Sequence, residues 1–181
     1  MGKFNYNKEV LANLRIDEKD TALLDRLIDY DSAVIAHEKK SHAAVDKRLS
    51  IKEAISEYVK DGDILTDTGF SYVRSPIASY LEIMRQGIKN LQMIGSPATN
   101  QSYMINYGTV SHSHWSYCGA EMRGTDRNMS RNVKEGRTKL LSEWSHGSMA
   151  QGFKAAQLGL PGVYSKQLLG SDMVKYNPFI K

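Results

Sequence analysis

The sequence is short of cysteine, proline and long apolar runs, and each shortage excludes something. Its single cysteine, Cys118, cannot close an internal disulfide, and no C-x-x-C pair is present to hold a metal or run thiol exchange. No stretch approaches the ~18–20 apolar residues that a membrane helix needs. The first twenty residues, MGKFNYNKEVLANLRIDEKD, contain no apolar segment of the kind a secretory leader requires. The expectation is a reducing, cytoplasmic setting without a membrane. Low hydrophobicity combined with high net charge, the mark of a disordered chain, is also missing: 41% of the 181 residues are hydrophobic and the net charge is only +4.

That charge is local. Residues 1–48 carry nine basic and nine acidic side chains, whereas Arg123–Lys139 alone carries six basic residues against Asp126 and Glu135. The segment has no interleaved aromatics and matches no helix-turn-helix or zinc-finger pattern, so nucleic acid is not an expected partner. A solvated amphipathic helix accounts for it.

Proline is absent from residues 1–48, and glycine is absent there after Gly2. Leu11, Leu14, Leu23, Leu24, Leu27, Ile28, Val34 and Ile35 recur at helical spacing, with Asp17 and Asp20 placed to cap a run. The expectation is a helical N-terminal extension of one or two amphipathic helices. From Leu49 the pattern changes. Ser50 and Glu53 form a capping box ahead of Ile51, Ala54, Ile55 and Tyr58. Short apolar runs then alternate with helical stretches. Strands are expected at Ile64–Thr68, Leu91–Ile94, Thr109–Cys118 and Thr138–Trp144. Helices are expected after Pro76, over Asp126–Glu135 and over Ser148–Leu158. This alternation predicts an α/β domain over 49–181, a three-layer, mostly parallel sheet with helices on both faces in the Rossmann-like manner.

Ligands on such sheets bind beyond the carboxyl ends of the strands, which selects the loops Thr68–Ser75, Gly95–Gln101, Gly119–Asp126 and Ser145–Ser148. In the first, Gly69 follows a strand and Arg74 precedes a helix, an arrangement able to clamp a carboxylate or phosphate; a plain tight turn would equally use the glycine. In the last, His146 and Gly147 stand between strand and helix. A histidine there can donate to an oxyanion or move a proton, or it can simply cap or pack the helix. His112 and His114 share a strand face but lack a third ligand, a poor zinc site, and no metal is expected. Cys118 reads as a small buried hydrophobe, and Ser96 has no nucleophile elbow around it.

Taken in order, the segments LSIKEAISEYVKDGD, TGFSYVRSPIASYLEIMRQGIKNLQMIGSP, EWSHGSMAQGFKAAQLGLPG and LLGSD resemble the alpha subunit of family I CoA-transferases, most nearly the glutaconate CoA-transferase-like branch. Asp61-Gly62, Gly69-Phe70 and Pro76 match the family signature at its spacing, and Arg74 stands where that branch also carries arginine. Thr68 departs from the family's Gly-Gly pair. Polar Thr66 and Asp67 interrupt its usual apolar strand. His146 occupies a position where transferases carry glutamine and ring-cleaving relatives carry glutamate.

The resemblance implies a subunit that moves CoA between an acyl-CoA thioester and a carboxylic acid, with no permanently bound cofactor. The nucleophilic glutamate would come from a beta-type partner subunit. His146 would be the oxyanion donor or acid/base group. Gly69, Phe70, Ser71, Arg74, Gly95, Ser96, Pro97 and Gly147 would line the substrate site, and Arg127, Arg131 and Lys134 would meet CoA phosphates, or equally a beta-subunit surface or solvent. The alternatives on the same scaffold are a CoA-thioester hydrolase, including one that cleaves a C–C bond in a ring-derived ester, and a non-catalytic ligand-binding or assembly subunit. Family alpha subunits continue past the LLGSD segment, so the resemblance also implies a domain incomplete at its C-terminus: either a further chain completes the sheet or the sequence is a partial product.

Overall fold

Helix-capping chemistry and strand-ending glycines divide this chain into its elements, and the computed structural model describes them over residues 4–67, 69, 73–95, 101–117, 119 and 124–180. Two compact units result: Arg48–His146, and Met1–Lys47 together with Gly147–Lys181.

The unit of residues 1–47 and 147–181 begins with helices α1 (Lys8–Asn13), α2 (Glu18–Ile28) and α3 (Tyr30–Glu38). Three helices replace the expected one or two. The Asp29 side chain accepts the Ser32 N–H at 3.2 Å, which lets a new helix start directly after α2 ends. Leu24 is fully buried, the Tyr6 hydroxyl donates to Asp25 at 2.8 Å, and the Tyr6 ring meets Phe179 edge-on at 6.4 Å. The Asn13 amide donates to the Lys175 carbonyl at 3.1 Å. The long helix of this unit, named α8 below, is followed by a short 3₁₀ turn at Asp172–Tyr176.

The unit of residues 48–146 is the α/β part. Helix α4 (Ile51–Tyr58) opens on the capping box: Ser50 Oγ accepts the Glu53 N–H at 3.2 Å, and Glu53 accepts the Ser50 N–H at 3.0 Å. Then follow β1 (Ile64–Thr66), α5 (Ile77–Arg85), β2 (Leu91–Gly95), α6 (Ser102–Tyr107), β3 (Val110–Trp115), α7 (Arg127–Lys134) and β4 (Lys139–Glu143), and α8 (His146–Gln157) begins at the unit's last residue. Pro76 stands just before α5 rather than in its first turn. Gly87 takes φ +72° after that helix, a left-handed stop that other residues adopt only at a cost. Asp126 caps α7 by accepting from the N–H groups of Asn128 and Met129 at 2.9 and 3.1 Å.

Among the described residues the four strands are all parallel and lie in the order β1-β2-β3-β4. The expected α/β class and parallel sheet are therefore observed. Right-handed crossovers in a monotonic strand order carry the connecting helices along one side of the sheet. There Leu91, Met93 and Val110 pack against Tyr80, Met104 and Met129 in the apolar core. Strands β1, β3 and β4 are shorter than expected, whereas β2 runs one residue further, to Gly95. Helix α8 starts two residues before the expected Ser148, and α6 has no counterpart in the sequence periodicity. In β4 one extra residue, Leu141, is inserted opposite the Ser113–His114 step of β3, so that His114 pairs with Ser142 and Trp115 with Glu143.

Candidate active site at the carboxyl edge of the sheet

The parallel sheet delivers the ends of β3 and β4 side by side. The Trp144 N–H continues the ladder to the Trp115 carbonyl at 2.9 Å, and just beyond this pair Ser116 and His146 meet. Ser116 Oγ lies 2.9 Å from His146 Nδ1, and the Tyr117 ring is 5.9 Å from the imidazole at a 60° tilt. His146 is exposed at the start of α8. If the Ser116 hydroxyl donates to Nδ1, Nε2 carries the ring proton and is a hydrogen-bond donor. If Nδ1–H donates to the hydroxyl, Nε2 is a base. Either arrangement is chemically useful, and a packing role is not what this exposure describes. Ser116 and Tyr117 carry no signal in the sequence, because their value comes from the strand register. Gly147 follows, where a Cβ would fall 2.3 Å from the end of the Gln167 side chain.

At the end of β1, Gly69 and Arg74 are brought together by the backbone. Gly69 has φ +155°, and a Cβ there would sit 2.4 Å from the Arg74 carbonyl oxygen and 2.9 Å from its carbon. The loop's own close return therefore demands this glycine. The Arg74 side chain is exposed. Behind the loop, Asp67 accepts a hydrogen bond from the Tyr80 hydroxyl and a long one, at 3.4 Å, from the Gln101 amide. Burial, followed by the bond to Asp67, pushes the Tyr80 phenol well above its ordinary pKa. In the sequence Asp67 does no more than interrupt an apolar run. Gly95 closes β2 and is buried, its carbonyl accepting the Ser116 N–H at 3.2 Å. Phe70, Ser71, Ser96, Pro97, Thr68 and Cys118 lie outside the described residues.

Arg127, Arg131 and Lys134 are exposed on α7, as their spacing predicts, while Met129 and Asn132 turn inward and Asn132 donates to Asn106 at 2.7 Å. Among the described residues no group of three His, Cys, Asp or Glu side chains could hold a metal. His112 contacts the Ser111 hydroxyl at 2.9 Å instead, and His114 is buried in a polar network described below. No helix among these residues is long and apolar enough to cross a membrane.

Comparison with known proteins places these features in a family. The family model described as coenzyme A transferase matches residues 48–179. An uncharacterized protein of Archaeoglobus fulgidus is 35% identical over 140 residues, covering 76% of this chain and 31% of the relative. The A-type subunit of the 3-oxoadipate CoA-transferase of Pseudomonas knackmussii is 32% identical, over 74% of this chain and 48% of that one. The A-type subunit of the glutaconate CoA-transferase of Acidaminococcus fermentans is 30% identical, over 71% of this chain and 41% of that one. The crystal structure of glutaconate coenzyme A-transferase from A. fermentans superimposes with a TM-score of 0.67 at 27% identity, over 74% of this chain and 42% of that one. A variant of the decarboxylase AibA/AibB shares the fold, with a TM-score of 0.62 at 22% identity over 70% and 49% of the two chains. The chain thus spans between about a third and a half of the length of these relatives.

Proposed function

The chain belongs to the coenzyme A transferase family, and on that premise we propose that it supplies the acyl- and oxyanion-binding side of a CoA-transferase active site. A beta-type partner subunit brings the carboxylate nucleophile. The observation that carries this reading is the exposed His146 held by Ser116 at the carboxyl edge of β3 and β4. When a carboxylate attacks a thioester carbonyl, the C=O π electrons move onto oxygen, and CoA leaves as thiolate when the carbonyl re-forms. A fixed donor at that oxygen stabilises the charge as it develops, which is worth ~3–4 kcal/mol. An Nε2–H of His146, with Nδ1 accepting from Ser116, is such a donor. The thiolate then attacks the enzyme's mixed anhydride, the first acid departs, and the enzyme–CoA thioester passes CoA to a second acid by the same steps in reverse.

Arg74, exposed beside the tight Gly69 turn, is assigned to the carboxylate of the acid, and Gly95 and Gly147 to the walls. Phe70, Ser71, Ser96 and Pro97 complete this assignment from the family resemblance, and the exposed face of Arg127, Arg131 and Lys134 is assigned to CoA phosphates. The working assembly is a cytoplasmic hetero-oligomer in which residues 1–48 are an extension and residues 49–181 form the CoA-transferase-like domain. A second reading, thioester hydrolysis, draws on one feature: an imidazole–hydroxyl pair can activate water, with the proton moving onto Nε2.

The two readings separate by following CoA. The test uses the full chain co-purified from its native host with its partner. Acetyl-CoA is offered together with glutaconate or 3-oxoadipate, the acids named by the relatives. Transfer predicts a new thioester whose formation depends on the acid. Loss of acetyl-CoA at the same rate without any acid contradicts it. Arg74→Ala should raise the KM for the acid by about 10- to 100-fold, the loss of one charge-assisted contact. An unchanged KM would remove Arg74 from the site.

A further inference from the structure

The side of the sheet facing away from the α4–α7 core holds a buried polar chain that no reacting role requires. His114 is 1% exposed, Gln92 1% and Ser142 0%. His114 Nδ1 lies 2.6 Å from Ser142 Oγ, and its Nε2 lies 2.7 Å from the Gln92 amide. Ser142 Oγ also accepts the Trp144 indole N–H at 2.6 Å. Ser142 Oγ keeps a second lone pair for the His114 Nδ1–H, and the Gln92 amide NH2 donates to the unprotonated Nε2. Burial, assisted by the neighbouring charge of His112, holds the ring well below the usual histidine range, so it stays neutral.

This chain of hydrogen bonds sits at the one irregular step of the β3–β4 pair. The insertion of Leu141 moves β4 by one residue, which brings Ser142 rather than Leu141 opposite His114. Every later residue inherits the shift: Trp115 meets Glu143, Trp144 donates to Trp115, and His146 reaches Ser116. A single-residue slip would turn each of these side chains to the other face.

We propose that His114 is a positioning residue: hydrogen-bonded to Ser142, it pins the Leu141 bulge and so fixes the strand register from which His146 meets Ser116. The bond that matters is the one at Nδ1, and the side-chain amide of asparagine, which carries both a donor and an acceptor, occupies nearly the same place. Phenylalanine fills the volume without it. The consequence for turnover rests on the transferase reading above, but the test does not.

In the isolated full chain, without substrate, the ¹⁵N shifts of the His146 ring report whether one tautomer is held by Ser116. The wild type and His114→Asn are expected to show the same two distinct nitrogens. In His114→Phe and in Ser142→Ala the pair should collapse to the averaged shifts of a free imidazole, matching Ser116→Ala, with the thermal transition still cooperative. Ser142→Ala decides alone if His114→Phe does not fold. A folded Ser142→Ala that keeps the wild-type His146 shifts overturns the proposal, as does a folded His114→Asn that loses them. Acetyl-CoA turnover is not read, so a failure of the transferase reading leaves this outcome untouched.

Discussion

On the side of the sheet that meets α4–α7, Leu91, Met93 and Val110 pack against Tyr80, Met104 and Met129; on the other side β2, β3 and β4 present Gln92, His114 and Ser142, which are just as buried. Apolar burial is non-directional, roughly proportional to area, and tolerant of volume-conserving exchange. A hydrogen-bonded chain is directional, and each group left unpaired costs more than its bond contributes. The first face therefore sets how stable the sheet is, and the second sets where its strand ends are. The candidate site needs the second property, because Ser116 and His146 meet only in one register.

The largest effect should come from breaking the apolar side. Met104 is fully buried, and Met104→Ala should lower unfolding free energy by about 2–5 kcal/mol. Urea denaturation measures this, and the His146 ring shifts should stay as in the wild type. A loss below about 1 kcal/mol, or altered ring shifts, would erase the distinction between the faces.

The polar side should be sensed by acid. An unfolded histidine titrates near 6.5, while folded His114 is held at about 3 by desolvation first and by His112 second. Between those values the unfolded chain binds a proton that the folded chain does not. Stability must therefore fall as the pH drops below 6.5, by up to about 1.4 kcal/mol per pH unit from this group. Urea midpoints between about pH 6.5 and 5 should slope accordingly in the wild type and flatten in His114→Asn. Equal slopes in both would mean that the ring does not titrate as its burial demands.

The smallest effect tests a local feature on the apolar side. Ser50→Ala removes the reciprocal cap of α4 and should cost about 1 kcal/mol, again by urea denaturation, with no change at His146.

What the sequence could show follows from the same contrast. Ser50 with Glu53, Gly87 after α5 and Asp126 before α7 act through neighbours two or three positions away, so their roles are written locally. Helix α6 has only six residues and no side-chain cap, leaving too little period to read. The polar face is invisible for a different reason. Glutamine, histidine and serine in strands normally mark a solvent-facing side, and only the tertiary structure buries Gln92, His114 and Ser142. The Leu141 insertion has no glycine to announce it, and without it the meeting of Ser116 with His146 cannot be inferred. Gly69 is legible as a glycine position, but the group it accommodates, the Arg74 carbonyl, is not.

A role for His146 in stabilising charge on a thioester oxygen is tested most directly by His146→Ala in the partner-assembled complex, with kcat measured beside the affinity for acetyl-CoA. The predicted fall in kcat is about 10²–10³-fold with affinity nearly unchanged, because the interaction strengthens only as the oxyanion forms. An equal loss in both quantities, or no loss in kcat, would contradict it.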